Sequence, residues 1–276
     1  LGGSQMLGET TIPSGPAIAS TWDVGFAREA ARMNVRERRT FAQHFGVCFP
    51  QATLALDPRW SRVEQSYGED PFLASEFVYA RCAGSRDLGG GSAIESFICH
   101  GCGEGGHMST AVHVGMNEIL NLHMRPFEAA VRGGANNIMT CYNLVDGIPG
   151  LLRGDLVNGF VRGKLGFKGT FIADAGAIGN LYWWGFAKDF GEAAALALKN
   201  GNDLCCWEAE TYLEGLMKAL ERKAITEKIR PLREKVKRAE KIMEKSPHLY
   251  ELLQAEFNTE REANARARNK SKEWSR

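Results

Sequence analysis

The chain has 276 residues, 44% of them hydrophobic, and a formal net charge of +1. That length and apolar content supply one large core or two modest ones, and the near-neutral balance, with no clustered basic face, excludes a nucleic-acid footprint. No apolar run reaches the roughly 18 residues of a membrane-spanning helix, so no membrane partner is expected either.

In chain order, "PAIAS" near residue 16 reads as a possible strand, and residues 23–45 as an amphipathic helix. Strands follow at 46–50, 96–100, 137–143, 169–174 and 202–207, each a brief apolar run bounded by polar residues or glycine. Between and after them, helices fit residues 71–84, 116–134, 154–166, 191–201 and 208–223, with Pro126 expected to kink or break the second of these. Residues 224–245 read as a helical exit segment and 246–276 as a polar linker or helical tail whose charges alternate in sign.

Strand and helix alternate, so parallel pairing with right-handed crossovers is expected and the class is α/β. A dinucleotide-binding sheet would carry a Gly-rich turn after an early strand, and none is present. Polar residues instead recur at strand ends: His100, Tyr142 with Asn143, Asp174 and Asp203. In a TIM-type (β/α)8 barrel such ends share one rim, where chemistry is assembled. The stretch "TFIADAGAIGN" delivers Asp174 to that rim and follows it with small residues that leave the mouth open.

Seven cysteines, an odd number, fall partly within the expected strands, where a free thiol packs as a small hydrophobe. A disulfide framework is not expected in a chain of this size. "CHGC", Cys99 to Cys102, has the spacing of a redox or zinc half-site, but no second cysteine pair stands at a zinc-ribbon distance. One reading joins this pair to His107 as a metal site.

The most specific stretch is "DPRWSRVEQSYGEDPFL", residues 57–73. It is too long for a simple turn and too ordered in composition for a linker. It closely resembles the signature of family-3 glycoside hydrolases. Collinear resemblances follow in "TTIPSGPAIASTWD" (10–23), "PFEAAVRGGANNIMTCYNLVDGIPG" (126–150), "VRGKLGFKGTFIADAGAI" (161–178) and "ALALKNGNDLCC" (195–206). The resemblance implies the family's N-terminal barrel over residues 1–245, incomplete by its first strand-helix unit, with 246–276 leading toward an absent second domain. It implies Asp174 as the nucleophile of a retaining β-glycosidase of the β-glucosidase or β-xylosidase type. Arg62, His100 and Tyr142 are implied as sugar contacts, with His107 where the family often places an arginine. Glu69 and Asp70 are expected to brace their loop. No cofactor is implied, and the partner is an oligosaccharide or glycoside substrate.

Three departures from the family pattern stand out. Cys99-His100-Gly101 replaces Lys-His-Phe, and losing a charged hydrogen bond of that kind costs about ten- to a hundred-fold in binding or rate. Ala173-Asp174-Ala175 lacks a side chain that often lines the sugar pocket. No Asp-His pair with acid/base spacing is present, since Glu104 and His107 in "GCGEGGH" stand in the wrong order. The resemblance further implies an unpaired barrel edge, open to association unless another segment covers it. Two functions therefore stand side by side: an exo-acting β-glycosidase, or an impaired relative that binds carbohydrate or serves as an interaction module.

Overall fold

The computed structural model describes residues 10–40, 47–48, 50–206 and 209–222. The expected boundary at residue 245 and the polar tail lie outside the described residues. In chain order the elements are α1 (Gly15–Ala19), α2 (Val24–Thr40), β1 (Val47–Cys48), α3 (Pro71–Asp87), β2 (Gly91–Phe97), β3 (Ala111–Val112), α4 (Gly115–Glu118) and α5 (Arg125–Gly133). There follow β4 (Asn137–Thr140), β5 (Leu144–Val145), β6 (Ile148–Pro149), β7 (Thr170–Ala173), α6 (Ala177–Trp183), α7 (Phe190–Lys199), β8 (Leu204–Cys205) and α8 (Ala209–Glu221).

Five strands form one parallel sheet in the order β1-β2-β4-β7-β8. The spatial order follows the chain order without the reversal of a doubly wound sheet, which is the arrangement of a barrel arc. Among the described residues the ladder does not close. A smaller sheet of β3, β5 and β6 sits beside the strand ends.

The two faces of the arc differ in burial. Ile94, Ile138 and Phe171 are fully buried in one core with Phe127, Leu156, Val157 and Val161 of the surrounding helical segments. The alternation of a strand then turns Glu95, Asn137, Met139, Thr170, Ile172 and Asp174 to the opposite, interior face. Register fixes the depth: Asn137 pairs with Thr170, Met139 with Ile172 and Thr140 with Ala173, so Asp174 stands just above the last paired rung.

Several boundaries depart from the sequence reading. "PAIAS" is not a strand but α1, because Pro16 occupies a first-turn position where its fixed φ suits a helix and its missing N–H costs nothing. The strand expected at 96–100 runs earlier, over Gly91–Phe97, and Cys99 in left-handed conformation (φ 63°) turns the chain away. The helix expected at 116–134 is broken as Pro126 requires: α4 passes into a π-helical turn, Ile119–His123, and α5 restarts with Pro126 in its first turn. The segment expected at 154–166 is π-helical over Asp155–Lys164.

Asp70 starts α3 by accepting a hydrogen bond from Leu73 N at 2.7 Å, next to Pro71 at the first helical position. Asp70→Ala is therefore expected to lower stability by about 1 kcal/mol, read as a shift of the urea midpoint with an unchanged slope.

Candidate active site

Asp174 sits where β7 ends. Its N–H donates to Thr140 O at 3.1 Å, extending the ladder by one residue, and its C=O accepts from Ala177 N at 2.9 Å. Oδ1 accepts from Ala175 N at 2.7 Å, which fixes the carboxylate over its own turn. The residue before α6 is Gly176, with φ 76°, so Asp174 is not consumed as that helix's cap. The small residues that follow Asp174 permit this left-handed turn.

His100 lies in the turn after β2 and is 0% exposed. Nδ1 is 2.7 Å from Asn143 Oδ1, and the Asn143 amide nitrogen in turn donates to Thr110 O at 3.4 Å. With that amide oriented, Nδ1 carries the proton and donates, leaving Nε2 as an acceptor. Nε2 is buried with no hydrogen-bond partner among the described residues. Burial holds the His100 pKa below the ordinary imidazole range, the Asn143 hydrogen bond opposes this, and the charge of Arg62 reinforces it. The ring meets the edge of the buried Trp60 at 5.4 Å between centroids and lies 6.0 Å from the Tyr142 ring.

Tyr142 is half-buried and donates from its hydroxyl to Ala175 O at 3.0 Å. Burial pushes its pKa up, and the nearby Asp174 charge pushes it further. Arg62 precedes a short 3-10 turn, Val63–Gln65, and its charge acts on His100, Tyr142 and Glu95 alike. Arg62, His100, Tyr142 and Asp174 thus share one electrostatic neighbourhood, as expected for a common rim. His107 makes no contact with that group among the described residues: it is exposed, and its carbonyl accepts from Thr110 Oγ1 at 3.0 Å within its own loop. Of the two loop acids, Asp70 braces by capping α3, and Glu69 is exposed.

Asp203 is not on the rim. It precedes β8 and accepts from Phe171 N at 2.8 Å and from Arg162 Nη2 at 2.5 Å, at the opposite ends of the strands. Conserving strand integrity rather than chemistry is the expected duty of that barrel face.

Sequence reading missed Glu95. It stands on the interior face of β2, accepts from Gln51 Nε2 at 3.3 Å, and has its pKa raised by burial and, more weakly, by the charge of Asp174, with Arg62 opposing. The signal that could have found it is a lone carboxylate inside the apolar run "AIESFI".

Neutral His100 has a consequence for stability. An unfolded histidine takes up its proton near pH 6.5, whereas the folded one resists protonation until lower pH. Below that value the unfolded state binds more protons, so the stability present above about pH 6.5 is lost as pH falls toward the depressed folded pKa, by up to about 1.4 kcal/mol per unit of depression. His100→Asn is expected to flatten this part of the pH profile of the urea midpoint between pH 7 and 5.

A parallel barrel arc whose strand ends gather a carboxylate, a guanidinium, an imidazole and a phenol has the layout of a TIM-type catalytic mouth. The sequence profile of the glycosyl hydrolase family 3 N terminal domain matches residues 1–242, and the chain belongs to that family. It is 28% identical over 218 residues to a periplasmic beta-glucosidase of Salmonella typhimurium, covering 76% of this chain and 28% of the relative. It is 30% identical over 217 residues to a beta-xylosidase of Formosa agariphila, covering 71% of this chain and 29% of the relative. Among solved structures, the beta-glucosidase of Listeria innocua in complex with isofagomine superposes with a TM-score of 0.74 at 30% identity, over 80% of this chain and 32% of that one. The chain spans less than a third of the length of the curated relatives it matches.

Proposed function

We propose that the chain is the barrel of a retaining β-glycosidase, of the β-glucosidase or β-xylosidase type, that removes terminal β-linked sugars from oligosaccharides. The observation that carries this reading is Asp174, a carboxylate anchored by one oxygen at a strand end, in the shared field of Arg62, His100 and Tyr142.

In the mechanism this geometry supports, an Asp174 carboxylate oxygen attacks the anomeric carbon as the glycosidic bond breaks. The leaving oxygen takes up a proton, and a covalent glycosyl-enzyme remains. Water then cleaves that ester with overall retention of configuration. Nε2 of neutral His100 is covered in the unliganded chain, so its hydrogen bond to a sugar hydroxyl requires the rim to open over it, and a buried acceptor then gains from being satisfied. Arg62 donates to sugar oxygens, and Tyr142 holds the turn beside Asp174 through Ala175 O. Retention requires a second, protonated carboxyl beside Asp174 to give the leaving oxygen its proton.

Sugars with activated leaving groups need little acid catalysis, so they test the nucleophile alone. Incubation with 2-deoxy-2-fluoro β-glucosides and β-xylosides bearing dinitrophenyl leaving groups, followed by intact-mass spectrometry, is expected to give one adduct per chain on the peptide containing Asp174. A folded chain that takes up neither sugar would favour the second reading, a carbohydrate-binding relative whose weakened site follows from the loss of the family's lysine at Cys99.

A further inference from the structure

The turn that carries His100 into the mouth begins and ends in cysteine. Cys99 is buried, Cys102 is half-buried, and both lie against His123, the last residue of the π-helical turn and only 2% exposed. One ligand atom from each of the three lies within 4.8 Å of the others. Cys102 Sγ stands 3.9 Å from His123 Nε2, and Glu118 Oε1 approaches the same nitrogen at 3.7 Å.

A tetrahedral zinc ion with thiolate and imidazole ligands sets ligand atoms about 3.5 to 3.8 Å apart. The Cys102–His123 edge is within a few tenths of an ångström of that spacing, and the remaining edges close with an inward movement of up to about an ångström. We propose that Cys99, Cys102 and His123 bind a zinc ion, with Glu118 at the fourth position. Two soft thiolates with an imidazole favour zinc over magnesium or calcium, which take oxygen ligands.

The sequence pairing of Cys99 and Cys102 with His107 gives way here to a histidine 21 residues beyond Cys102, brought in by the π-helical turn. A simple disulfide between the two cysteines would use neither His123 nor Glu118. The ion would tie the turn after β2 to the segment before α5. The residue that replaces the family's lysine would then serve as a ligand, and the position of His100 would depend on the metal. This site does not depend on Asp174 being a nucleophile.

The test is metal analysis of the whole chain, purified in a non-chelating reductant. One zinc per chain is expected, and it should be absent from Cys102→Ser. After removal of zinc, titration with Co2+ is expected to give the visible d–d bands of a tetrahedral centre and a near-ultraviolet thiolate-to-cobalt charge-transfer band, saturating at one equivalent. The cobalt spectrum of the unmodified chain decides the matter even if the variant fails to fold. A folded, fully reduced chain that holds no zinc and gives no thiolate-to-cobalt band overturns the proposal. One equivalent of zinc retained in Cys102→Ser, with an unchanged cobalt spectrum, overturns it as well.

Discussion

Asp174→Asn is expected to abolish covalent labelling by the fluoro-sugars and to lower kcat for an aryl β-glycoside on the order of 10⁴-fold or more, the scale seen when an enzyme loses its nucleophile. The substitution removes charge and little else. The amide oxygen still accepts from Ala175 N, the backbone bonds to Thr140 and Ala177 do not involve the side chain, and Gly176 still opens α6. The thermal midpoint should therefore stay near that of the unsubstituted chain, so that lost activity reports chemistry. Asp174→Gly carries the argument further. Azide entering the space left by the carboxylate attacks the anomeric carbon from the same side, and a β-glycoside then yields the α-glycosyl azide. Undiminished turnover in the Asn variant, or a β-glycosyl azide as product, would remove Asp174 from the nucleophile's role.

The rim was legible in sequence because one physical rule governs it. A polar residue directly after a short apolar strand lands at the carboxyl end of a parallel sheet: Asp174 follows β7 at once, whereas Tyr142 stands two residues past β4 and His100 three past β2. Asp203 failed it for a reason of register. Its strand begins only at Leu204, paired with Ile172, so Asp203 lies beside Phe171 at the other end and is spent on Arg162. Glu95 stayed hidden because "GGGS" reads as a break, although β2 already pairs there, with Gly91 beside Val47 and Ser92 beside Cys48. Once the strand starts early, Ile94 pairs with Ile138 on the helix-facing side and Glu95 must turn inward. The meeting of Cys99 and Cys102 with His123 depends on a π-helical turn, which no apolar period announces.

Gly101 is where the departure from Lys-His-Phe has its structural reason, and Gly101→Ala is expected to destabilise the chain by about 1 to 3 kcal/mol. A Cβ at this position would collide with the backbone oxygen of Leu54 and reach 3.0 Å from Thr53 Cγ2. The Gly101 carbonyl accepts from both Leu56 N (3.1 Å) and Asp57 N (3.0 Å), which clamps the start of the loop that carries Trp60 and Arg62. The Leu54 oxygen belongs to the backbone just before that clamped segment, so it cannot swing aside as the end of a flexible side chain could. The midpoint of thermal unfolding should fall by about 2 to 4 °C per kcal/mol for a domain of this size. Gly101→Phe, which restores the family's residue, should fare worse, because a ring attached to that Cβ has to displace the loop bearing Arg62. Activity on activated glycosides would then fall even at temperatures where the chain remains folded, and KM should rise with it as Arg62 leaves the mouth. A Gly101→Phe chain with an unchanged melting midpoint and unchanged KM would mean that the close approach of Gly101 to Leu54 does not hold in solution, and that the glycine does not position this side of the site.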